Sequence, residues 1–186
     1  MRRALMSLAA VCLLVGCGND RTPPPDIGLI SAPGGFRGVD YPEHGISLKR
    51  PVNWRVEKGE DNRVTTVSAG FGQVTIWRFE RDDPLPVTRT HLDNARKALI
   101  AQIEARDPTF GVTSSRLILR SGLRAVEVVG VGTNQGKRRT TRSLHAYGRG
   151  AEVIVDAYAP PKDFQRVDEQ TFRPVLRSLR LRAARP

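Results

Sequence analysis

Val112–Tyr158 reads VTSSRLILR-SG-LRAVEVVGVGTNQG-KRRTTRSLHAY-GRG-AEVIVDAY, and the fold turns on how this stretch is read. Four runs rich in β-branched and apolar residues (Val112 to Arg120, Leu123 to Gly132, Lys137 to Tyr147, Ala151 to Tyr158) are divided by Ser121-Gly122, Asn134-Gln135-Gly136 and Gly148-Arg149-Gly150. Dividers of this length and composition are hairpin turns. Strands joined by short turns pair antiparallel with their neighbours, so the stretch predicts a four-stranded meander.

Upstream, Ile46-Ser47-Leu48-Lys49 alternates apolar and polar, Arg50-Pro51 stops it, and Trp54-Arg55-Val56-Glu57 resumes. Arg63 to Ala69 reads as a third strand despite the poor spacing of Val64 and Val67. Gln73 to Glu80 reads as a fourth, with Val74, Ile76 and Arg78 facing one way and Thr75, Trp77 and Phe79 the other. That distribution predicts a strand covered on both faces. After the turn at Asp82 to Pro86, Leu92, Ala95, Leu99 and Ile103 recur at helical spacing, with Thr90 and Asp93 as a capping-box-like start. Asp107-Pro108 closes this helix, because proline disfavours helical backbone in the residue before it.

Downstream of the meander, Pro160-Pro161 breaks the last strand and Asp163 is placed to cap a second helix, with Phe164, Val167 and either Thr171 or Phe172 along one side. Pro174 interrupts that helix or starts a further turn, after which Val175, Leu176 and Leu179 still reach the core. The order strands, helix, meander, helix predicts an α+β fold, a central antiparallel β-sheet flanked by helices. Trp54, Trp77, Phe79, Phe110, Tyr147, Tyr158, Phe164 and Phe172 are the large pieces available to fill the core or to line a cleft between sheet and helix.

The beginning of the chain is of another kind. Arg2 and Arg3 precede an apolar run from Ala4 to Val15 broken only by Ser7, the charged start and hydrophobic middle of a secretory signal. The run is too short to span a bilayer, which takes roughly 20 helical residues. Leu14-Val15-Gly16-Cys17 then resembles a bacterial lipobox: Leu14 three before the cysteine, small Gly16 just before it, Cys17 as acceptor. The resemblance implies cleavage after residue 16 and a diacylglyceryl thioether on Cys17, so that the protein is held by lipid on the extracytoplasmic side of the cell membrane. From 17 to 40 the chain reads as a Pro/Gly-rich tether, with Pro23-Pro24-Pro25, Gly28, Pro33, Gly34, Gly35 and Gly38. The folded body is expected over 41–182, and 183–186 reads as a frayed tail.

Ile46-Ser47-Leu48-Lys49-Arg50-Pro51-Val52-Asn53-Trp54 resembles the opening of PsbP-like proteins, in which a strand leads to a Pro-x-x-Trp corner. The hairpin after Arg120 and the closing Pro174-Val175-Leu176-Arg177-Ser178-Leu179-Arg180 resemble the same group. It includes an extrinsic photosystem II subunit, a Ran-binding nuclear protein of fungi and many bacterial surface lipoproteins. The resemblance implies a sheet between helical layers and carries no catalytic residue, because the group shares a fold rather than a reaction.

The chemistry-bearing residues are sparse. Once residues 1–16 are removed Cys17 is the sole cysteine, which excludes an intramolecular disulfide and a thiolate metal site. His44, His91 and His145 are isolated, no Gly-x-Ser-x-Gly turn occurs, and no His-x-x-x-His pair supplies zinc ligands. Neither Gly34-Gly35 nor Gly148-x-Gly150 has the spacing of a phosphate loop. No enzyme activity, cofactor or metal is therefore expected.

Charge remains as the candidate signal. The formal net charge is +11. Inside a cell such a surplus points to nucleic acid, whereas outside the membrane it points to lipid headgroups, envelope polymers or acidic proteins. Lys137, Arg138, Arg139 and Arg142 open one strand, with Arg138 and Arg142 on one face and Lys137 and Arg139 on the other. Arg116, Arg120 and Arg124 on neighbouring strands are candidates to extend one patch. The bland reading is a solvated edge whose charge opposes aggregation; the sharper one is a surface for an anionic partner. The expectation is thus a lipid-anchored, non-catalytic binding or accessory module for an envelope partner, with a carrier of a small apolar ligand or lipid as the alternative.

Overall fold

In the computed structural model, which describes residues 27–120, 123–134 and 136–185, the meander is the heart of a seven-stranded sheet. The signal segment 1–16, Cys17 and the first part of the tether lie outside the described residues. The sheet contains β3 (Arg55–Lys58), β4 (Arg63–Ala69), β5 (Gly72–Glu80), β6 (Gly111–Arg120), β7 (Leu123–Asn134), β8 (Lys137–Gly148) and β9 (Ala151–Ala159). Their order is β3-β4-β5-β9-β8-β7-β6, antiparallel throughout, with β9 returning to pair with β5 from Gln73↔Tyr158 to Glu80↔Ala151. The β8–β9 turn is a two-residue loop, Arg149 and Gly150, both at positive φ (55° and 73°), whose twist matches that of paired strands.

Alternation along these strands builds two different faces. Val126 and Val128 point to α1 (Arg89–Arg106) and form a core with Leu92, Ile103 and Tyr147. The side-chain Oγ1 of Thr88, not Thr90, caps this helix by accepting from His91 N at 3.1 Å. The helix packs chiefly on β6 and β7, so Trp77, Phe79, Ile154 and Tyr158, further across the same face, stand half-exposed rather than covered. The Phe110 ring lies directly over Gly130 and Gly132 of β7, where any side chain would strike it.

The opposite face presents Val74, Ile76, Leu144, Val153 and Val155 to the main core. Its cover consists of a three-stranded sheet, order β1-β2-β10 (Phe36–Tyr41, Ile46–Pro51, Arg180–Leu181), and a C-terminal helical run. That run is α2 (Pro161–Val167), a π-helical turn at Asp168–Phe172, and α3 (Arg173–Ser178). Asp163 lies within α2, which has no side-chain cap. Pro174 does not break the run: the wide turn before it closes with Arg173 N donating to Asp168 O, and the missing proline N–H falls where α3 is only starting. Trp54 and Phe172, 3% and 0% exposed, meet edge to face at 6.4 Å under this cover.

The folded body reaches further at both ends than the boundaries 41 and 182. Phe36–Tyr41 pairs with β2 along its length, Ile30 is buried, and Trp54 Nε1 donates to Ser31 O. The indole and Asn53, which bonds Ala32 and Gly34, fasten a Pro/Gly-rich segment whose own sequence carries no period. At the other end Arg182 N donates to Gly45 O and Arg185 N to Pro42 O.

Candidate functional site

The strand register divides the predicted basic residues into three groups. Arg142 points into the main core side of the sheet, where it is 6% exposed. Its Nε and Nη2 donate to the two carboxylate oxygens of Asp168 at 2.7 and 2.8 Å, and its Nη1 to Glu127 Oε1 at 2.6 Å. Arg173 donates to Asp168 and Arg116 to Glu127, making a strap from β6 through β7 and β8 to the π-helical turn. Burial opposes the Arg142 charge, but the bonds and charges of Asp168 and Glu127 outweigh it and hold its pKa above the ordinary value. Arg142 is thus engaged inside the fold, and Arg116, though exposed, is paired to the buried Glu127.

Arg124 pairs with Tyr147, nine positions along β7 from the Thr133↔Arg138 pair, which separates it by about 30 Å at the rise of a strand. Arg120 belongs to that same far end, opposite Leu123. Lys137, Arg138 and Arg139 stay together at the β7–β8 hairpin. Lys137 Nζ lies 4.9 Å from the centroid of Phe71, and the Arg139 guanidinium stacks 5.7 Å from Phe71 and 5.2 Å from Tyr158. Arg139 Nη1 also donates to Phe71 O at 2.9 Å.

Of the histidines, His44 ends a short 3-10 turn and His91 sits in the first turn of α1, but His145 is buried on the α1 side of the sheet. Its Nδ1 lies 2.7 Å from Glu152 Oε1, while Arg81 reaches Glu152 Oε2 at 3.4 Å. Burial would raise the Glu152 carboxyl, yet the His145 bond, the His145 and Arg81 charges and the Tyr147 hydroxyl hold it below the usual range. Burial, then the Glu152 charge, pushes the Tyr147 phenol up. Ser143, two residues along the same strand face, donates its hydroxyl to Asp156 instead of to His145. A nucleophile activated by a base needs those two side chains bonded to one another; here each is bonded to its own carboxylate. No group of three metal-ligating side chains occurs among the described residues.

A sizeable hollow lies elsewhere. A groove of about 630 Å3 runs over the outer face of the small sheet against α3, with Phe36, Val39, Leu48 and Pro174 as its apolar walls. Lys49, Arg177 and Arg180 supply positive charge and Asp40 one carboxylate. Gly38 opens its floor, since nothing stands within 4 Å of where a side chain would begin. Sequence alone missed this groove because it depends on β1, which reads as tether.

No protein-family model matches the chain, and no curated protein does. Solved structures do match. Cyanobacterial PsbP (CyanoP) from Synechocystis sp. PCC 6803 aligns with a TM-score of 0.61 at 10% identity, over 78% of this chain and 92% of that one. LpqN of Mycobacterium tuberculosis, described as involved in cell envelope biogenesis, aligns at 0.54 and 15%, over 80% and 91%. The Saccharomyces cerevisiae Ran-binding protein Mog1p aligns at 0.52 and 8%, over 81% and 96%. At these identities the likeness defines the fold: a sheet-dominated, PsbP-like domain.

Proposed function

We propose that this protein is a lipid-anchored, non-catalytic binding or accessory module of the bacterial envelope, held by Cys17 on the extracytoplasmic side and meeting its partner through the groove between the small sheet and α3. One observation carries the reading. The groups that hydrolytic chemistry would use are bonded in separate structural pairs, Ser143 to Asp156 and His145 to Glu152, while the large hollow opens on the outside with mixed apolar and basic walls. The relatives in fold support it at the level of class, one being named for envelope biogenesis and another for binding Ran. Crosslinking in intact membranes tests it. Gly38→Trp fills the groove, in space that is open, and is expected to abolish a partner crosslink that the unaltered chain gives. An unchanged crosslink pattern, or turnover of a substrate by the purified chain, contradicts the proposal.

A carrier of a small apolar ligand is the second reading, favoured by the volume of the groove and by Phe36, Val39, Leu48 and Pro174 along it. Native mass spectrometry separates the two: a co-purified lipid lost on Gly38→Trp indicates the carrier.

A further inference from the structure

The end of the large sheet that carries the β4–β5 turn has a composition unlike the rest of the surface. Gly70 and Phe71 are the two loop residues between Ala69 and Gly72, and Phe71 remains 40% exposed. Gly28 presses against the Phe71 ring, and Phe71 N donates to Gly28 O at 3.2 Å, so the chain at Ile27 and Leu29 runs beside this turn. These two are 88% and 66% exposed, so three large exposed apolar side chains belong to this one end of the body. Beside the Phe71 ring stand Lys137 and Arg139, with Arg138 between them on the other face of the same strand end; none of the three has an ion-pair partner among the described residues. Asp107, which lies against Gly132 of the adjoining strand pair, already accepts from the Thr109 backbone and hydroxyl.

We infer that this tip, Ile27, Leu29 and Phe71 together with the cations of the β7–β8 hairpin, Lys137, Arg138 and Arg139, is a docking surface for an anionic phospholipid bilayer. Apolar side chains enter the acyl boundary while the cations stay among the phosphates, the arrangement by which peripheral proteins bind lipid surfaces. Chain geometry agrees. Ile27 lies ten residue steps beyond Cys17, a reach of at most about 35 Å, so an anchor at Cys17 delivers this end of the body to the membrane. With the tip on the lipid, the groove between the small sheet and α3, built from other strands, is left for a partner. The inference rests on the lipid anchor proposed above, and its test separates the two.

The full chain carrying Phe71→Trp is isolated from membranes and reconstituted by its own anchor into phosphatidylcholine vesicles with or without phosphatidylglycerol. The tryptophan at 71 is expected to shift to the blue only where phosphatidylglycerol is present, and to revert in high salt. Lys137→Ser with Arg138→Ser, both exposed and therefore tolerable to the fold, is expected to abolish the shift. It should also weaken recruitment of chain not already anchored to phosphatidylglycerol vesicles roughly thirtyfold, given the contribution of each cation at an anionic surface. Chain that stays on both vesicle types with identical emission overturns the docking surface and leaves the anchor standing. Chain that lacks an acyl group yet is recruited to phosphatidylglycerol through Lys137 and Arg138 overturns the anchor and supports the surface.

Discussion

Asp168→Ala removes the bidentate partner of Arg142, whose side chain is 8% exposed. Taking away one member of a buried pair leaves the other charged in a poorly solvated place, at a cost of about 3–5 kcal/mol. Glu127 still holds Nη1 of Arg142 at 2.6 Å, so the lower end, about 3 kcal/mol, applies. For a body of this size that lowers Tm by about 6–12 °C. The two helical segments joined by the π-helical turn lose their tie to β8, so the loss should appear as faster amide exchange over 161–178 before the meander opens. Arg142→Met with Asp168→Ala removes both members of this pair while Arg116 still donates to Glu127, and should recover part of the loss, because no buried unpaired charge is left opposite the site of Asp168. Urea unfolding of wild type, both single variants and the double variant gives the coupling energy. Additivity within about 0.5 kcal/mol would refute the strap. It would also reopen the view of Arg142 as part of a surface patch.

Other consequences are as specific. Glu152 is held below its ordinary value of 4.5 in the folded chain, so it adds stability above that pH which is lost as pH falls through the folded value. Glu152→Gln should therefore flatten the acid limb of a stability profile below about pH 4.5 and leave its shape at neutral pH unchanged. Gly38→Val, placed where nothing crowds it in an outer strand, should raise stability by about 0.5–1 kcal/mol in thermal unfolding while narrowing the groove. Trp54→Ala should cost about 3–5 kcal/mol in the same assay, since the indole is 3% exposed against Phe172.

The strands of the meander were legible because alternation and turn residues agreed at every junction, and Gln73 to Glu80 showed its two faces in the same way. Alternation tells which side chains share a face, not what covers that face. Arg142 was therefore assignable to the side of Arg138 but not to the interior, which depends on the C-terminal helices folding over it. Glu127 was the available clue: one carboxylate among Ala125, Val126, Val128 and Val129 needs a buried cation. The segment from Ile30 to Tyr41 resisted reading for another reason. Its order comes from Trp54 and Asn53, more than ten residues away, while Pro33, Gly34, Gly35 and Gly38 erase any local period. The groove beside α3 was lost with it. The Lys137–Arg139 cluster could be found from charge alone, but its apolar companions Ile27, Leu29 and Phe71 come to this end of the body only through the β4–β5 turn.

Fractionation of cells producing the unaltered chain and Cys17→Ser, with mass determination of the N-terminal peptide, bears most directly on an anchored module outside the cytoplasm. The account predicts membrane-bound chain beginning at an acylated Cys17 and a Cys17→Ser form that bears no lipid and leaves the membrane. Soluble cytoplasmic chain still beginning at Met1, unaffected by the substitution, would contradict it.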